Sequence, residues 1–304
     1  MKKNLIIGFL LVMFLIVVSG CGKTNPSSSQ EQNNDKLPVA VSFQAMKEIT
    51  EAVGKDHVEV NCVIPDGTEP HDFQPTAKDL TIISKSKMFI YNGLGLEKSW
   101  LDKVTAADDN KGLTLVEASK EATPMMVAED NSDSKVTDPH FWLSVEGAKL
   151  EAKNIRDALI AADGKNKADY EKNYQEFAGK LDDLKKEYTE KFQNSKRHDF
   201  VTGHAAFGYL ARDFNLKQNS VSDALLSGEP SAKKLKELTD YCRQNNVTTI
   251  FVEDMVNPKI SETLATEVNA KTVKIYTLES SPDNLDYISA LRYDLDKIYE
   301  SLNS

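Results

Sequence analysis

The sequence predicts an α/β fold: two α/β lobes with parallel-type sheets, joined by one long helix, with a ligand cleft between the lobes. Three observations predict it. Strand-like and helix-like apolar patterns alternate over residues 38–116, and the alternation returns over residues 199–302. Between these halves, Tyr170, Tyr174, Phe177, Leu181, Leu184, Tyr188 and Phe192 recur at spacings of three and four on an otherwise charged stretch. Such a narrow stripe suits a coiled-coil seam or a helix lying across two lobes. The α/β pattern on both flanks favours the second.

In the first half, residues 38–42 read as a short buried strand. Phe43, Met46, Ile49 and Val53 carry helix spacing, and Gly54 follows as a stop. Residues 58–64 alternate like a strand. Thr76 opens a helix, with Asp79 three residues on as its capping partner. A strand over 88–91, a helix over 96–104 and a strand over 113–116 complete this half. Helices follow over 144–162 and 167–193, with Gly164 between them. The second of these spans about 40 Å at 1.5 Å per residue. The second half reads as strands over 199–202, 216–221, 248–252 and 272–276. Its helices fall over 205–213, 231–245, 259–269 and 285–302.

The first residues stand apart. Lys2 and Lys3 precede an apolar run over 5–18, and then come Val18-Ser19-Gly20-Cys21. A basic start, an apolar middle and small residues before a break are the marks of an export signal. The run is shorter than the roughly 18–20 residues of a comfortable membrane span. Its last four residues resemble a bacterial lipoprotein processing box, which implies cleavage before Cys21 and lipidation of its thiol. Residues 22–36 hold no large apolar side chain and read as a flexible tether. Cys62 and Cys242 are then small, unpaired core residues.

The whole chain has 37 basic and 47 acidic residues. Residues 1–20 carry two lysines and no acid, so 35 against 47 remain after cleavage, a net charge of −12. An acidic surplus of this kind counts against a general nucleic-acid binder.

The chemistry is carried by histidines, of which there are five. His57 and His198 sit beside charged residues at the approaches to strands and read as surface groups. His71 lies in a proline-stiffened loop, Pro65-Asp66-Gly67-Thr68-Glu69-Pro70-His71-Asp72-Phe73-Gln74-Pro75, directly after a strand. His140 lies in Asp138-Pro139-His140-Phe141-Trp142, and His204 in Thr202-Gly203-His204-Ala205, where a strand gives way to a helix. Ligands of open α/β sheets bind beyond the carboxyl ends of strands, so all three can face one cleft. Three neutral imidazoles suit zinc, and one carboxylate completes a tetrahedral shell. Glu253, Asp254 and Glu279 all stand just past strands of the second half, and the pattern alone leaves the choice open.

Together, Gly67-Thr68-Glu69-Pro70-His71-Asp72-Phe73-Gln74-Pro75, Tyr91-Asn92-Gly93-Leu94-Gly95-Leu96-Glu97, Asp138-Pro139-His140-Phe141-Trp142-Leu143 and residues 202–210 resemble the zinc- and manganese-type solute-binding lipoproteins of bacterial ABC transporters. The resemblance covers nearly all of residues 38–304. It implies a metal site in the cleft between the lobes, with His71, His140, His204 and Glu279 as ligands. It also implies that the linking helix is rigid, so that the lobes move little. The expected organisation is a signal peptide over 1–20, a lipid-anchored tether over 21–37, an N-terminal lobe over 38–165, a linking helix over 166–195 and a C-terminal lobe over 196–304.

The expected function is extracytoplasmic capture of Zn2+ by a receptor anchored to the cell membrane, which delivers it to a permease. No catalytic cofactor or nucleic-acid partner is implied, and the receptor is expected to be a monomer. Manganese is the alternative cargo. Many zinc-type relatives carry a histidine-rich loop before the second ligand, but residues 118–137 hold no histidine. A zinc hydrolase is disfavoured because four protein ligands close the position that water needs, and no His-Glu-x-x-His helix occurs. Nothing in the sequence points specifically to a surface adhesin. Ligand histidines must be neutral, so metal affinity is expected to fall below about pH 6.5.

Overall fold

A computed structural model describes residues 36–106, 112–128, 134–226 and 228–304. The signal segment, Cys21 and the tether as far as residue 35 lie outside the described residues.

Two four-stranded sheets, both wholly parallel, organise the fold. The first is built from β1 (Leu37–Val41), β2 (Val58–Cys62), β3 (Met88–Tyr91) and β4 (Thr114–Glu117), in the order β2-β1-β3-β4. A short antiparallel hairpin, β5 (Met126–Ala128) with β6 (Lys135–Thr137), follows it. The second sheet contains β7 (Asp199–Thr202), β8 (Lys217–Ser220), β9 (Thr249–Glu253) and β10 (Lys271–Ile275), in the order β10-β9-β7-β8. Counted along the chain, both sheets have the same order, 2-1-3-4, although no sequence repeat links them. Each therefore has a switch point beside its first strand, where such sheets open a crevice.

The first half's helices are α1 (Gln44–Gly54), α2 (Ala77–Ser84) and α3 (Lys98–Ala106). The expected capping box opens α2: Asp79 N–H donates to the Thr76 hydroxyl, and the Asp79 carboxylate accepts the Thr76 N–H. Next come α4 (Val145–Ala162) and the long α5 (Lys167–Gln193), separated by one 3-10 turn at Gly164–Asn166. The α5 stripe is buried as its spacing requires: Tyr170, Phe177, Leu181, Leu184, Tyr188 and Phe192 are each at most 5% exposed. The second half adds α6 (Gly208–Asp213), α7 (Ala232–Gln244), α8 (Lys259–Glu267) and α9 (Tyr287–Asn303).

Two expectations change. Helix α6 starts at Gly208 rather than at 205, because the His204 carbonyl is taken by the Thr202 hydroxyl and the Gln218 side-chain amide. The preceding residues stay in a loop that carries His204. The β5–β6 hairpin was not expected, since its three-residue strands bury no continuous apolar face.

Residues Lys36–Ser304 form one compact unit. Its main core is continuous from the first sheet (Val39, Phe89) through Trp142, Leu181 and Phe192 to Phe200, Phe251 and Leu295. A smaller cluster, including Val201, Leu238, Cys242 and Ile250, packs elsewhere on the second sheet. Cys62 and Cys242 are free thiols, and burial pushes them up to about 12 and about 11 respectively, so each is protonated at neutral pH. No helix among the described residues is long and apolar enough to cross a membrane.

Candidate metal centre

Each of the three loop histidines is placed by its own local chemistry. His71 follows β2 in a loop turned by Gly67, whose φ is +76°, and by a Thr68 N–H to Pro65 carbonyl bond of 3.1 Å. Beyond it, Phe73 is buried against Trp100. The His71 N–H donates to Glu69 Oε1 at 3.1 Å.

His140 sits in a fully buried turn. The Asn92 amide donates to the Pro139 carbonyl at 2.9 Å, and Glu97 accepts the N–H groups of Asn92 and Gly93. The Tyr91–Glu97 motif is thus a support for the histidine turn rather than a binding group. Asp138 Oδ1 accepts both the His140 N–H, at 3.0 Å, and His140 Nδ1–H, at 2.8 Å. That bond assigns the ring proton to Nδ1 and leaves Nε2 as the donor to a ligand.

His204 stands where β7 ends. Its N–H donates to Glu253 Oε1 at 2.9 Å, and its Nε2 donates to the Ala224 carbonyl at 3.2 Å. Its Nδ1 is buried with no hydrogen-bond partner. Gly203 makes this approach possible: a Cβ there would lie 2.5 Å from Glu253 Oε2.

These histidines converge. His71 Nε2 and His140 Nε2 are 3.1 Å apart, and one ligand atom from each of His71, His140 and His204 lies within 4.8 Å of the other two. Glu279 Oε1 lies 3.6 Å from both His71 Nε2 and His140 Nε2. Its other oxygen accepts the Thr277 hydroxyl at 2.7 Å, while Oε1 is buried without a hydrogen-bond partner. Tetrahedral donors at about 2.0–2.1 Å from one ion stand about 3.3 Å apart, close to the separations among His71, His140 and Glu279.

The three candidate carboxylates differ in position. Glu253 holds the His204 main chain, and Asp254 accepts the Thr277 N–H and the Ser280 hydroxyl. Of the three, Glu279 is the one whose carboxylate stands against histidine ring nitrogens among the described residues. His57 pairs with Asp169 and His198 is exposed, so both stand away from the cluster as expected.

The electrostatics follow from burial and proximity. Burial alone would lower His140, but the Asp138 and Glu279 carboxylates raise it to about 9. Burial and the neighbouring His140 depress His204 to about 3, leaving it a neutral donor. Burial pushes Glu279 up, but the nearby His140 and His71 rings, 3.6 Å away, outweigh it and hold the carboxyl well below its usual range. Glu69, beside the cluster, is raised to about 7 by burial and by the Glu279 charge. Sequence reasoning singled out neither Asp138 nor Glu69. The only signal was that each lies two residues before a histidine.

Comparison with known proteins places the chain. Residues 39–301 match the family model described as zinc-uptake complex component A, periplasmic (ZnuA). A putative metal-binding protein of Treponema pallidum is 38% identical, over 95% of this chain and 93% of its own length. The high-affinity zinc uptake system protein ZnuA of Bacillus subtilis is 34% identical, over 97% of this chain and 96% of its own. The manganese ABC transporter substrate-binding lipoprotein PsaA of Streptococcus anginosus is 30% identical over the full length of both. Among solved structures, a zinc-bound deletion mutant of ZnuA superposes with a TM-score of 0.80 at 30% identity, covering 89% of this chain and 99% of that one. A mutant of the laminin-binding adhesin Lmb of Streptococcus agalactiae gives 0.80 at 35% identity, covering 88% and 100%. With the family model spanning nearly all of the folded chain, this protein belongs to the zinc-uptake complex component A (ZnuA) family.

Proposed function

We propose that this protein is the receptor of an ABC importer, that Zn2+ is its cargo, and that His71, His140, His204 and Glu279 are the four ligands. One observation carries the reading: one ligand atom from each of His71, His140 and His204 lies within 4.8 Å of the other two, and the buried, unpartnered Glu279 Oε1 stands 3.6 Å from the Nε2 atoms of His71 and His140. Buried polar atoms rarely lack partners, and an ion supplies one to the Glu279 oxygen. Three nitrogens and one oxygen suit zinc, and four protein donors close the shell that a hydrolase keeps open. The site is thus a binding site and not a catalytic one. The lobes are those of residues 38–165 and 196–304, bridged by the helix over 166–195. The relatives named as lipoproteins support a lipid anchor. Export, cleavage before Cys21, lipidation there and a monomeric receptor outside the membrane complete the reading.

Metal analysis of the purified protein is expected to give one Zn2+ per chain. His71→Ala, His140→Ala and His204→Ala are each expected to weaken zinc by orders of magnitude in competition titrations. Wild-type stoichiometry and affinity in all three would sink the assignment. The manganese relatives support a second reading with Mn2+ as cargo. Because zinc outbinds manganese at nitrogen-rich sites in any case, uptake by a deletion strain starved of one metal or the other decides between them.

A further inference from the structure

Two sets of three donor side chains meet in this site, and they overlap. His71, His140 and His204 form one; Glu69, His71 and Glu279 form the other, and the ligand atoms within each set lie within 4.8 Å of one another. The four ligands proposed above leave Glu69 over. Its carboxylate is nevertheless built into place. Oε1 accepts the His71 N–H at 3.1 Å and lies 3.9 Å from His71 Nε2. Oε2 is enclosed and has no hydrogen-bond partner.

The donors are also ordered by their access to water. The Glu69 side chain is 25% exposed and that of His71 5%, while those of Glu279 and His140 are closed off. His204 is fully buried. An ion arriving from solvent therefore meets Glu69 before the closed-off Glu279, His140 and His204.

Building on the receptor reading above, we propose that Glu69, His71 and Glu279 form an outer subsite that holds Zn2+ transiently as it enters and leaves the four-ligand centre. Hydrated Zn2+ must exchange its waters for protein donors, and a stepwise exchange avoids a poorly coordinated ion. In the outer subsite two carboxylates and one imidazole replace the first waters. Moving inward, the ion keeps His71 and Glu279, releases Glu69 and gains His140 and His204. No bond to the protein need be lost before another is available. A group that binds the ion only between the free and final states lowers the barrier in both directions.

That distinction sets the test. Zn2+ association and dissociation are followed by stopped flow, with a fluorescent chelator as competitor, on the purified full-length protein. Glu69→Gln keeps an oxygen for the His71 N–H and nearly the same volume. Both rate constants are expected to fall by at least about fivefold, the effect of raising one shared barrier. Glu69→Asp keeps the charge but shortens the reach, and it too is expected to slow both rates. Wild-type rates in both variants would overturn the subsite. So would slower association alone in Glu69→Gln with Glu69→Asp unaffected, which is the pattern of a steering charge. Faster dissociation alone would make Glu69 a permanent ligand and overturn it as well. If wild-type protein fails to bind one Zn2+, the receptor reading itself falls; wild-type binding with unaltered variant rates removes only the subsite.

Discussion

His140 sets how the site responds to pH. Raised to about 9 by Asp138 and Glu279 against the effect of burial, its Nε2 holds a proton across neutral pH, and on the proposed ligand set an ion has to displace that proton. The ordinary histidine value would confine the loss of affinity to below about pH 6.5. The buried carboxylates extend it upward. Zinc affinity is expected to rise with pH up to about 9, changing roughly tenfold per unit below it. Asp138→Asn removes the charge while keeping an amide oxygen as acceptor, so it is expected to weaken zinc by about 10–100-fold and to flatten that slope. Competition titrations between about pH 6 and 9 check both, and a wild-type affinity that is flat over this range contradicts the assignment. In the metal-free protein the two histidines act oppositely. His140, raised in the folded state, contributes stability that is full below about 6.5 and lost as pH rises through about 9. His204, depressed to about 3, favours the folded state above about 6.5 and loses that contribution as pH falls. The three loop histidines were legible because prolines and strand ends mark their turns. Asp138 and Glu69 were not, because spacing cannot show a side chain curling back onto a neighbouring N–H, and Asp66 and Asp72 look no different in the same loop.

At the scale of elements, α5 is the part the sequence describes most fully. Its stripe predicts both its length and its buried face, since a 3.6-residue period leaves no other face for seven apolar side chains. It packs against α1, α4 and α9, so it is built into the core rather than strung between lobes as a free rod. Leu184 is fully buried in it. Leu184→Ala is expected to cost about 2–5 kcal/mol of stability, the range for opening a cavity in a close-packed core. Denaturant titration measures this, and zinc stoichiometry should remain at one; a cost well below that range would mean that α5 packs loosely. The parallel strands were equally legible, as short apolar runs between helices. Their common 2-1-3-4 order was not, because strand order depends on crossovers that leave no mark in composition. The start of α6 was misplaced for a local reason. Residues 205–207 have helical propensity, but side chains from Thr202 and Gln218 occupy the carbonyl that a helix would use.

At the scale of the whole molecule, site and scaffold are joined through the loop of His140. Trp142 Nε1 donates to the Thr277 carbonyl at 2.7 Å, two residues before Glu279, and the Tyr287 hydroxyl donates to the Trp142 carbonyl. The Tyr209 hydroxyl donates to the Asp138 carbonyl at 2.9 Å. His140, from the first half of the chain, is therefore tied to the second half before any ion binds. The His71 loop is held across the cleft by an exposed bond, Ser281 N–H to Asp66 Oδ1 at 2.7 Å. With the core also continuous through α5 and α9, an ion stabilises an arrangement already largely assembled. It then acts on stability by mass action alone, binding the folded chain and not the unfolded one. At a free Zn2+ concentration of about 1,000 times Kd this adds about 4 kcal/mol. For a unit of this size that raises Tm by about 7 °C. A chelator should reverse the rise. Leu184→Ala should melt lower at the outset yet gain the same increment, because its defect lies in the scaffold. His204→Ala should gain little, because its defect lies in the site. Calorimetric melts of the three proteins with and without Zn2+ make the comparison, and a full increment in His204→Ala would show that the ion stabilising the fold is bound somewhere else.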